Sequence, residues 1–138
     1  TTEIYTLSLH DALPISSEEA DIILIGTGSE VSLLMEARKL LAEEGYKASV
    51  VSMPSMELFE KQPDEYKETV LPSSNKSRLA CEMGSTYGWH KYAGSEGAVI
   101  GIDRFGASAP GGELLKHYGF TADNIAEQAK KVILKNKN

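Results

Sequence analysis

The chain has 138 residues, of which 14 are basic and 20 acidic, giving a formal charge of −6, and it contains one cysteine. Such an acidic balance argues against nucleic-acid binding, which needs clustered lysine and arginine, and one cysteine cannot form an internal disulfide. Because no apolar run approaches the roughly 20 residues that cross a bilayer, composition predicts a single soluble, cytoplasmic domain.

The first fifteen residues differ in character from those that follow. Their sequence, TTEIYTLSLHDALPI, resembles the uninterrupted translation of a common short-read sequencing adapter. We therefore predict that residues 1–15 are a non-native segment and that the native domain comprises residues 16–138. Residues 4–9 nevertheless alternate as a strand does, so we expect them to pair with a sheet edge if one is vacant.

From residue 16 onward, short apolar runs alternate with amphipathic stretches, as is typical of an α/β domain. Residues 22–25 are continuously apolar, which predicts a strand buried on both faces. A glycine turn follows, and Ser29 is predicted to cap a helix that Gly45 ends. The spacing of apolar residues predicts that the buried face of this helix holds Leu33, Ala37, Leu40 and Leu41.

The rest of the chain continues the alternation of strands and helices. The predicted strands cover residues 48–52, 78–83 and 98–102. The predicted helices cover residues 57–70, interrupted near Pro63, and residues 89–93 and 113–118. Thr121 is predicted to cap a last helix, whose buried face holds Ile125, Ala129, Val132 and Ile133.

The turn Gly26-Thr27-Gly28-Ser29 precedes a predicted helix, where backbone amides and the helix dipole favour anions. It has only a G-x-G pattern, without the third glycine of the dinucleotide fingerprint or the Gly-Lys-Ser/Thr of a P-loop. Glycines also serve tight turns and close helix packing. We favour that structural role, and anion binding remains the alternative.

Two other groupings contain reactive side chains. Cys81 and His90 could form a thiol and its base, but their spacing matches no nucleophile signature, and we predict that Cys81 packs in the core. Glu82 and the pair Asp103-Arg104 each end a predicted strand, at the edge where α/β sheets bind ligands. We favour a structural ion pair there over a substrate site. No histidine or cysteine pair has metal-ligand spacing.

Four aromatic residues cluster along the chain near glycine-rich segments: Tyr87, Trp89, Tyr92 and Phe105. Aromatic groups of this kind are enriched at protein interfaces but also fill ordinary cores. From the residues alone, we predict no catalytic, cofactor-binding or metal-binding constellation.

Several motifs are more specific than these patterns. They are ILIGTGSEVSL, VVSMPSMELFEKQ, YKETVLP, IDRFGASAPG and YGFTADNI. Together they resemble the C-terminal domain of transketolase over residues 21–133, and RFGASAPG followed by YGFT is especially specific. The resemblance implies a three-layer α/β/α sandwich with a mostly parallel mixed sheet. It also implies a short strand ahead of residues 21–25, a place that residues 4–9 would take here.

The resemblance further implies a parent enzyme that transfers a two-carbon ketol unit between ketose and aldose phosphates, using thiamine diphosphate and Mg²⁺. In that family the cofactor and metal ligands come from other domains, so no catalytic, cofactor or metal residue is assigned to this chain. We expect the fragment alone to be inactive and to bind neither group. Its expected partners are the remaining transketolase domains and a second subunit in a homodimer.

Two alternatives remain open from the sequence. The chain could be a free-standing α/β binding or interaction module that uses the Gly26–Ser29 turn or the aromatic group. It could also be the C-terminal domain of a related thiamine-diphosphate enzyme, such as deoxyxylulose-phosphate synthase or the beta subunit of a 2-oxo-acid dehydrogenase.

Overall fold

A computed structural model describes residues 5–7, 19–28, 30–53, 56–82, 88–101 and 120–137. In these segments the elements are, in chain order, β1 (Tyr5–Leu7), β2 (Ile22–Gly26), α1 (Glu30–Glu43), β3 (Ala48–Ser52), α2 (Met56–Glu60), α3 (Asp64–Val70), β4 (Arg78–Glu82), α4 (Trp89–Ala93), β5 (Ala98–Gly101) and α5 (Ala122–Lys135). The predicted helix over residues 113–118 lies outside the described residues, as do Ser29, Tyr87, Asp103, Arg104 and Phe105.

The strands form one sheet in the order β1-β3-β2-β4-β5. Strands β2 to β5 are parallel, with Leu24 opposite Val50 on one side and Leu79 on the other. Strand β1 pairs antiparallel with β3, placing Thr6 opposite Val51. The expectation that the first residues supply an edge strand is therefore confirmed for Tyr5–Leu7.

Helices cover both faces of this sheet. All five residues of β2 are buried, as its continuous apolar run predicts, and they alternate between two cores. Ile22 and Leu24 pack in the core beneath α1 and α5. Ile23 and Ile25 pack in the core formed with α2, α3 and α4. This arrangement confirms the three-layer α/β/α sandwich with a mostly parallel mixed sheet.

The buried face of α1 differs from the predicted one. The structure buries Leu34, Ala37 and Leu41, whereas Leu33 and Leu40 are only partly buried, so the prediction is wrong for these two. The face is rotated because Arg38 lies on it with its stem buried. Its Nε donates to the Ala48 carbonyl oxygen at 3.0 Å.

The ends of α1 and α5 follow the predicted signals. Gly45 has φ of +90°. Its N–H donates to the Ala42 carbonyl, and the N–H of Tyr46 donates to the Leu41 carbonyl. These two bonds form a Schellman motif. At α5, the Thr121 hydroxyl accepts from the Asn124 N–H at 3.1 Å. The predicted apolar face of α5 is buried, and Ala126 joins it.

The predicted excursion over residues 57–70 is two helices, α2 and α3. Pro63 stands before α3 in an extended conformation with ψ of 154°, and its carbonyl accepts from the Lys67 N–H. A proline at this place lacks an N–H for the preceding helix and breaks it. Among the described residues, no helix is long and apolar enough to cross a membrane.

Candidate functional site

The carboxyl ends of β2 and β4 bring together two of the sequence-predicted groups. These strands are neighbours, with Gly26 opposite Cys81. The Thr27 hydroxyl donates to Oε1 of Glu82 at 3.2 Å, joining the glycine turn to the end of β4. The chain passes from β2 to β3 on one side and later to β4 on the other, so this is the switch point where open α/β sheets tend to bind ligands.

Glu30 is a second charged residue of this edge, beside Glu82, and was not among the predicted site residues. It is the first residue of α1 and only 4% exposed. A carboxylate at a helix N-terminus is stabilised by the helix dipole. The signal in the sequence was an acidic residue in the first turn of a predicted helix.

The two carboxyl groups bear on the anion alternative for the glycine turn. Glu30 occupies the first turn of the helix, and Glu82 contacts Thr27, so an incoming phosphate would meet two carboxylates. Gly26 has a packing role, because a Cβ there would lie 2.8 Å from Cδ1 of Leu34. These contacts favour the structural interpretation of the turn.

Cys81 and His90 do not form a catalytic pair. Cys81 is fully buried in the core beneath α1 and α5. Burial, and secondarily the charge of Glu30, raises the pKa of its thiol to about 12, so the nucleophilic thiolate is not populated at neutral pH. His90 is exposed on α4, which covers the opposite face of the sheet. The predicted core role of Cys81 is confirmed.

The aromatic residues that the structure describes belong to the core. Trp89 and Tyr92 are each 5% exposed. The ring centroid of Tyr92 lies 6.1 Å from that of Trp89 and 5.6 Å from that of Phe59, both in edge-on geometry. Phe59 was not part of the predicted group. Of the two alternatives for Trp89 and Tyr92, interface or core, the structure supports the core.

Glu60 joins the three short helices of that face. Its Oε2 accepts from the Tyr92 hydroxyl at 2.6 Å and lies 3.1 Å from Nζ of Lys91, while its Oε1 lies 3.3 Å from Nζ of Lys67. These bonds, that of Tyr92 first, lower the pKa of Glu60 to about 2. Burial and the same carboxylate raise the pKa of Tyr92. The sequence contained no local signal for this cluster.

Replacing Glu60 with glutamine should make the free energy of unfolding less dependent on pH in the acid range. Because the folded-state pKa lies below the usual 4.5, ionised Glu60 stabilises the fold above about pH 4.5, and this contribution is lost as the pH falls toward 2. The side chain is 36% exposed, so solvent screening limits the effect to about 1 kcal/mol.

Urea denaturation from pH 7 to pH 2 measures this effect. The difference between the parent and Glu60→Gln should shrink with acidification. The control, Glu36→Gln, changes an exposed carboxyl of α1. A Glu60→Gln difference that stays constant across this range would contradict the assignment.

The described residues do not offer a site for the metal of the implied enzyme. They contain no group of three or more histidine, cysteine, aspartate or glutamate side chains that could hold a metal ion. The carboxyls of Glu30 and Glu82 border the turn that would otherwise suit a diphosphate. The described part of the chain therefore fits neither Mg²⁺ nor a diphosphate cofactor, and we derive no catalytic step through them.

Comparison with known proteins gives a consistent family. The profile of the family described as Transketolase-like TK C-terminal domain matches residues 4–121, so the match begins inside the segment that is predicted to be non-native. The transketolase of Bacillus subtilis is 56% identical over 119 residues, covering 86% of this chain and 18% of the relative. The chloroplastic transketolase of Spinacia oleracea is 54% identical, covering 85% of this chain and 16% of that protein.

Solved structures agree with these relatives. A Pichia stipitis transketolase, crystallised with sedoheptulose-7-phosphate, is 43% identical and superimposes with a TM-score of 0.77 over 95% of this chain and 18% of its own. The transketolase of Leishmania mexicana is 32% identical, with a TM-score of 0.80 over 98% of this chain and 18% of its own. The chain thus spans about a fifth of the length of the proteins it matches.

Proposed function

The chain belongs to the transketolase family, whose C-terminal domain it represents, and from this premise we propose that it is one end of a ketol-transferring enzyme. The complete protein would move a two-carbon ketol unit between ketose and aldose phosphates with thiamine diphosphate and Mg²⁺. The observation that carries this proposal is the 56% identity to a transketolase over 119 residues. The motifs quoted above and the sheet order support it.

We further propose that the chain alone is inactive and serves as a structural and dimer-contact domain. The chain covers 18% of the Bacillus subtilis transketolase, which supports its inactivity when alone. The fully buried thiol, the distant exposed histidine and the two carboxyls at the glycine turn give the described edge no arrangement for attack on a sugar carbonyl. Its partners would be the other transketolase domains and a second subunit in the cytoplasm, with no role for nucleic acid or membrane.

The domain boundaries belong to the same proposal. Residues 1–15 would derive from a sequencing adapter, and residues 16–138 would be native. The resemblance of the first fifteen residues to the adapter supports this division. Resequencing the genomic DNA upstream of the Ser16 codon tests it, because a continuous reading frame encoding other residues there is expected. A genomic match to the first fifteen residues would overturn it.

The alternative functions receive less support. The binding-module hypothesis relied on the glycine turn and the aromatic group, and the structure places carboxyls beside the first and buries the described members of the second. A related thiamine-diphosphate enzyme is disfavoured because the most similar relatives described above are transketolases.

A domain-exchange experiment tests the proposed function. Residues 16–138 should replace the equivalent domain of the Bacillus subtilis transketolase and keep kcat within about tenfold of the parent, since an equivalent domain leaves the reacting groups in place. The isolated 138-residue chain, supplied with thiamine diphosphate and Mg²⁺, should show no ketol transfer from xylulose 5-phosphate to ribose 5-phosphate.

The two arms of this experiment have separate meanings. Turnover by the isolated chain would overturn its proposed inactivity. A chimaera that forms dimers but has no activity would overturn the equivalence of the domains. A matched chimaera carrying the domain of the spinach enzyme controls for damage at the junction.

A further inference from the structure

A cleft of about 280 Å³ lies between the C-terminal half of α1 and the start of β3, at the end of the sheet opposite the glycine turn. Part of its lining is apolar, from Ala42, Tyr46 and Ala48. The charged lining residues are all cations, namely Arg38, Lys39 and Lys47. We propose that this cleft binds a small organic anion, a carboxylate carried on an apolar body.

The cations of the cleft are not required to satisfy the carbonyl groups of Leu41 and Ala42 at the end of α1. Free carbonyls at a helix C-terminus attract cations, but here the carbonyls of Leu41 and Ala42 already accept from the N–H groups of Tyr46 and Gly45. Lys39 and Lys47 are both exposed beside them. Among the described residues neither ammonium group has a hydrogen-bond or ion-pair partner, so both are available to a ligand.

Two carboxyl groups near the cleft, those of Glu44 and Asp21, bond elsewhere. Glu44, at the foot of α1, has Nζ of Lys130 at 3.0 Å from both carboxylate oxygens. Asp21 accepts from the backbone N–H of Lys47 at 2.8 Å, which leaves the ammonium group of that lysine uninvolved in the bond. In a chain of charge −6, a cleft whose described lining carries cations and no carboxylate is selective for anions.

Arg38 strengthens this preference. The residue is 7% exposed, and its Nε donates to the Ala48 carbonyl at 3.0 Å, which places the guanidinium beside the start of β3 in the wall of the cleft. A charge that is shielded from water acts on a nearby anion more strongly than an exposed one. The adjoining tyrosine ring and alanine methyls favour an apolar body on the same ligand, and the volume suits a single ring.

Another cleft of the described chain provides a contrast. It has a volume of about 640 Å³ and also lies at the amino end of the sheet. Its lining mixes Asp21 and Glu96 with three lysines. Because both signs of charge are present, the cleft of about 640 Å³ does not favour anions over cations. The cleft of about 280 Å³ does, because its charged lining residues are all cations.

Benzoate is a suitable probe, with two matched compounds. Benzamide has the same shape without the charge, and acetate has the charge without the ring. Titrating each into the isotopically labelled 138-residue chain and following amide NMR shifts gives both affinity and location. We expect benzoate to bind at least about fivefold more tightly than either analogue, with the largest shifts at residues 38–48.

Two variants test the assignment of the cleft. The double variant Lys39→Gln with Lys47→Gln should weaken benzoate binding by about fivefold or more. Ala42→Leu, which adds bulk at the exposed lining position, should abolish binding while leaving the charge unchanged. The matched control, Lys61→Gln with Lys131→Gln, removes two exposed lysines that do not line the cleft and should not alter binding.

Each contrary result overturns the proposal. Equal affinity for benzoate and benzamide would remove the role of charge, and equal affinity for benzoate and acetate would remove that of the apolar body. Shifts centred outside residues 38–48, or unchanged binding in the lysine double variant, would place the ligand elsewhere. None of these measurements depends on ketol transfer, so the result is independent of the proposed function.

Discussion

Replacing Gly97 with alanine is expected to destabilise the domain by about 3 kcal/mol, because it places a methyl group against backbone that has no room to move. A Cβ at this position would lie 2.5 Å from the Arg78 carbonyl oxygen and closer still to that of Ala93. Both oxygens belong to regular elements, the first residue of β4 and the last of α4. The steric overlap of the added methyl group can therefore be removed only if α4 or β5 shifts.

Gly45, which ends α1, provides the matched control. A Cβ there would meet no atom within 4 Å, but its φ is +90°. The cost of Gly45→Ala is then conformational alone, about 1 kcal/mol. Urea denaturation at neutral pH should give midpoints in the order parent, Gly45→Ala, Gly97→Ala, with similar slopes. A Gly97→Ala variant as stable as Gly45→Ala would show that the contact is absent.

Replacing Arg78 with methionine should cost about 3 kcal/mol, since the change leaves several carbonyl groups without their donor. Its guanidinium donates to the carbonyl oxygens of Asn75, Tyr92 and Pro72 at 3.0, 3.0 and 2.8 Å, and to that of Leu71 at 3.3 Å. These bonds fasten the loop before β4 to the end of α4. Methionine retains the apolar stem but none of the donors.

Two comparisons separate geometry from charge at this position. Arg78→Lys keeps the positive charge, but one ammonium lacks the planar fork that reaches four carbonyls, so we expect it to recover less than half of the loss. Lys76→Met, two residues away and exposed, should change the free energy of unfolding by no more than about 0.5 kcal/mol. Full recovery by lysine would show that charge, and not the bonding pattern, accounts for the effect.

Several elements could be predicted because their signals are local. Strand β2 is a continuous apolar run, and α5 has a capping threonine followed by one apolar stripe. The break at Pro63 follows from the missing N–H of proline. The position of Glu82 at the carboxyl end of its strand also follows from the sequence. Its contact with Thr27 does not, because that contact depends on β2 and β4 being neighbours in the sheet.

Other features required contacts between distant parts of the chain. The burial of Arg38 depends on the Ala48 carbonyl as its acceptor, so an apolar pattern alone misplaced the face of α1. Tyr92 and Glu60 are 32 positions apart, and no sequence pattern near either residue predicts their hydrogen bond. The separation of Cys81 from His90 likewise depends on which face of the sheet each element covers.

The sequence by itself determined the α/β class, the principal elements and the transketolase family, since these depend on local propensity, hydrophobic period and specific motifs. Only the tertiary structure decided how the polar groups are used. In the structure, the glycine turn is a packing contact beside two carboxyl groups. Cys81 is an unreactive core residue, and three cationic side chains line one cleft beside α1. The physical reason is that a buried polar group is defined by its partners and its loss of water, and both are fixed only when distant segments meet.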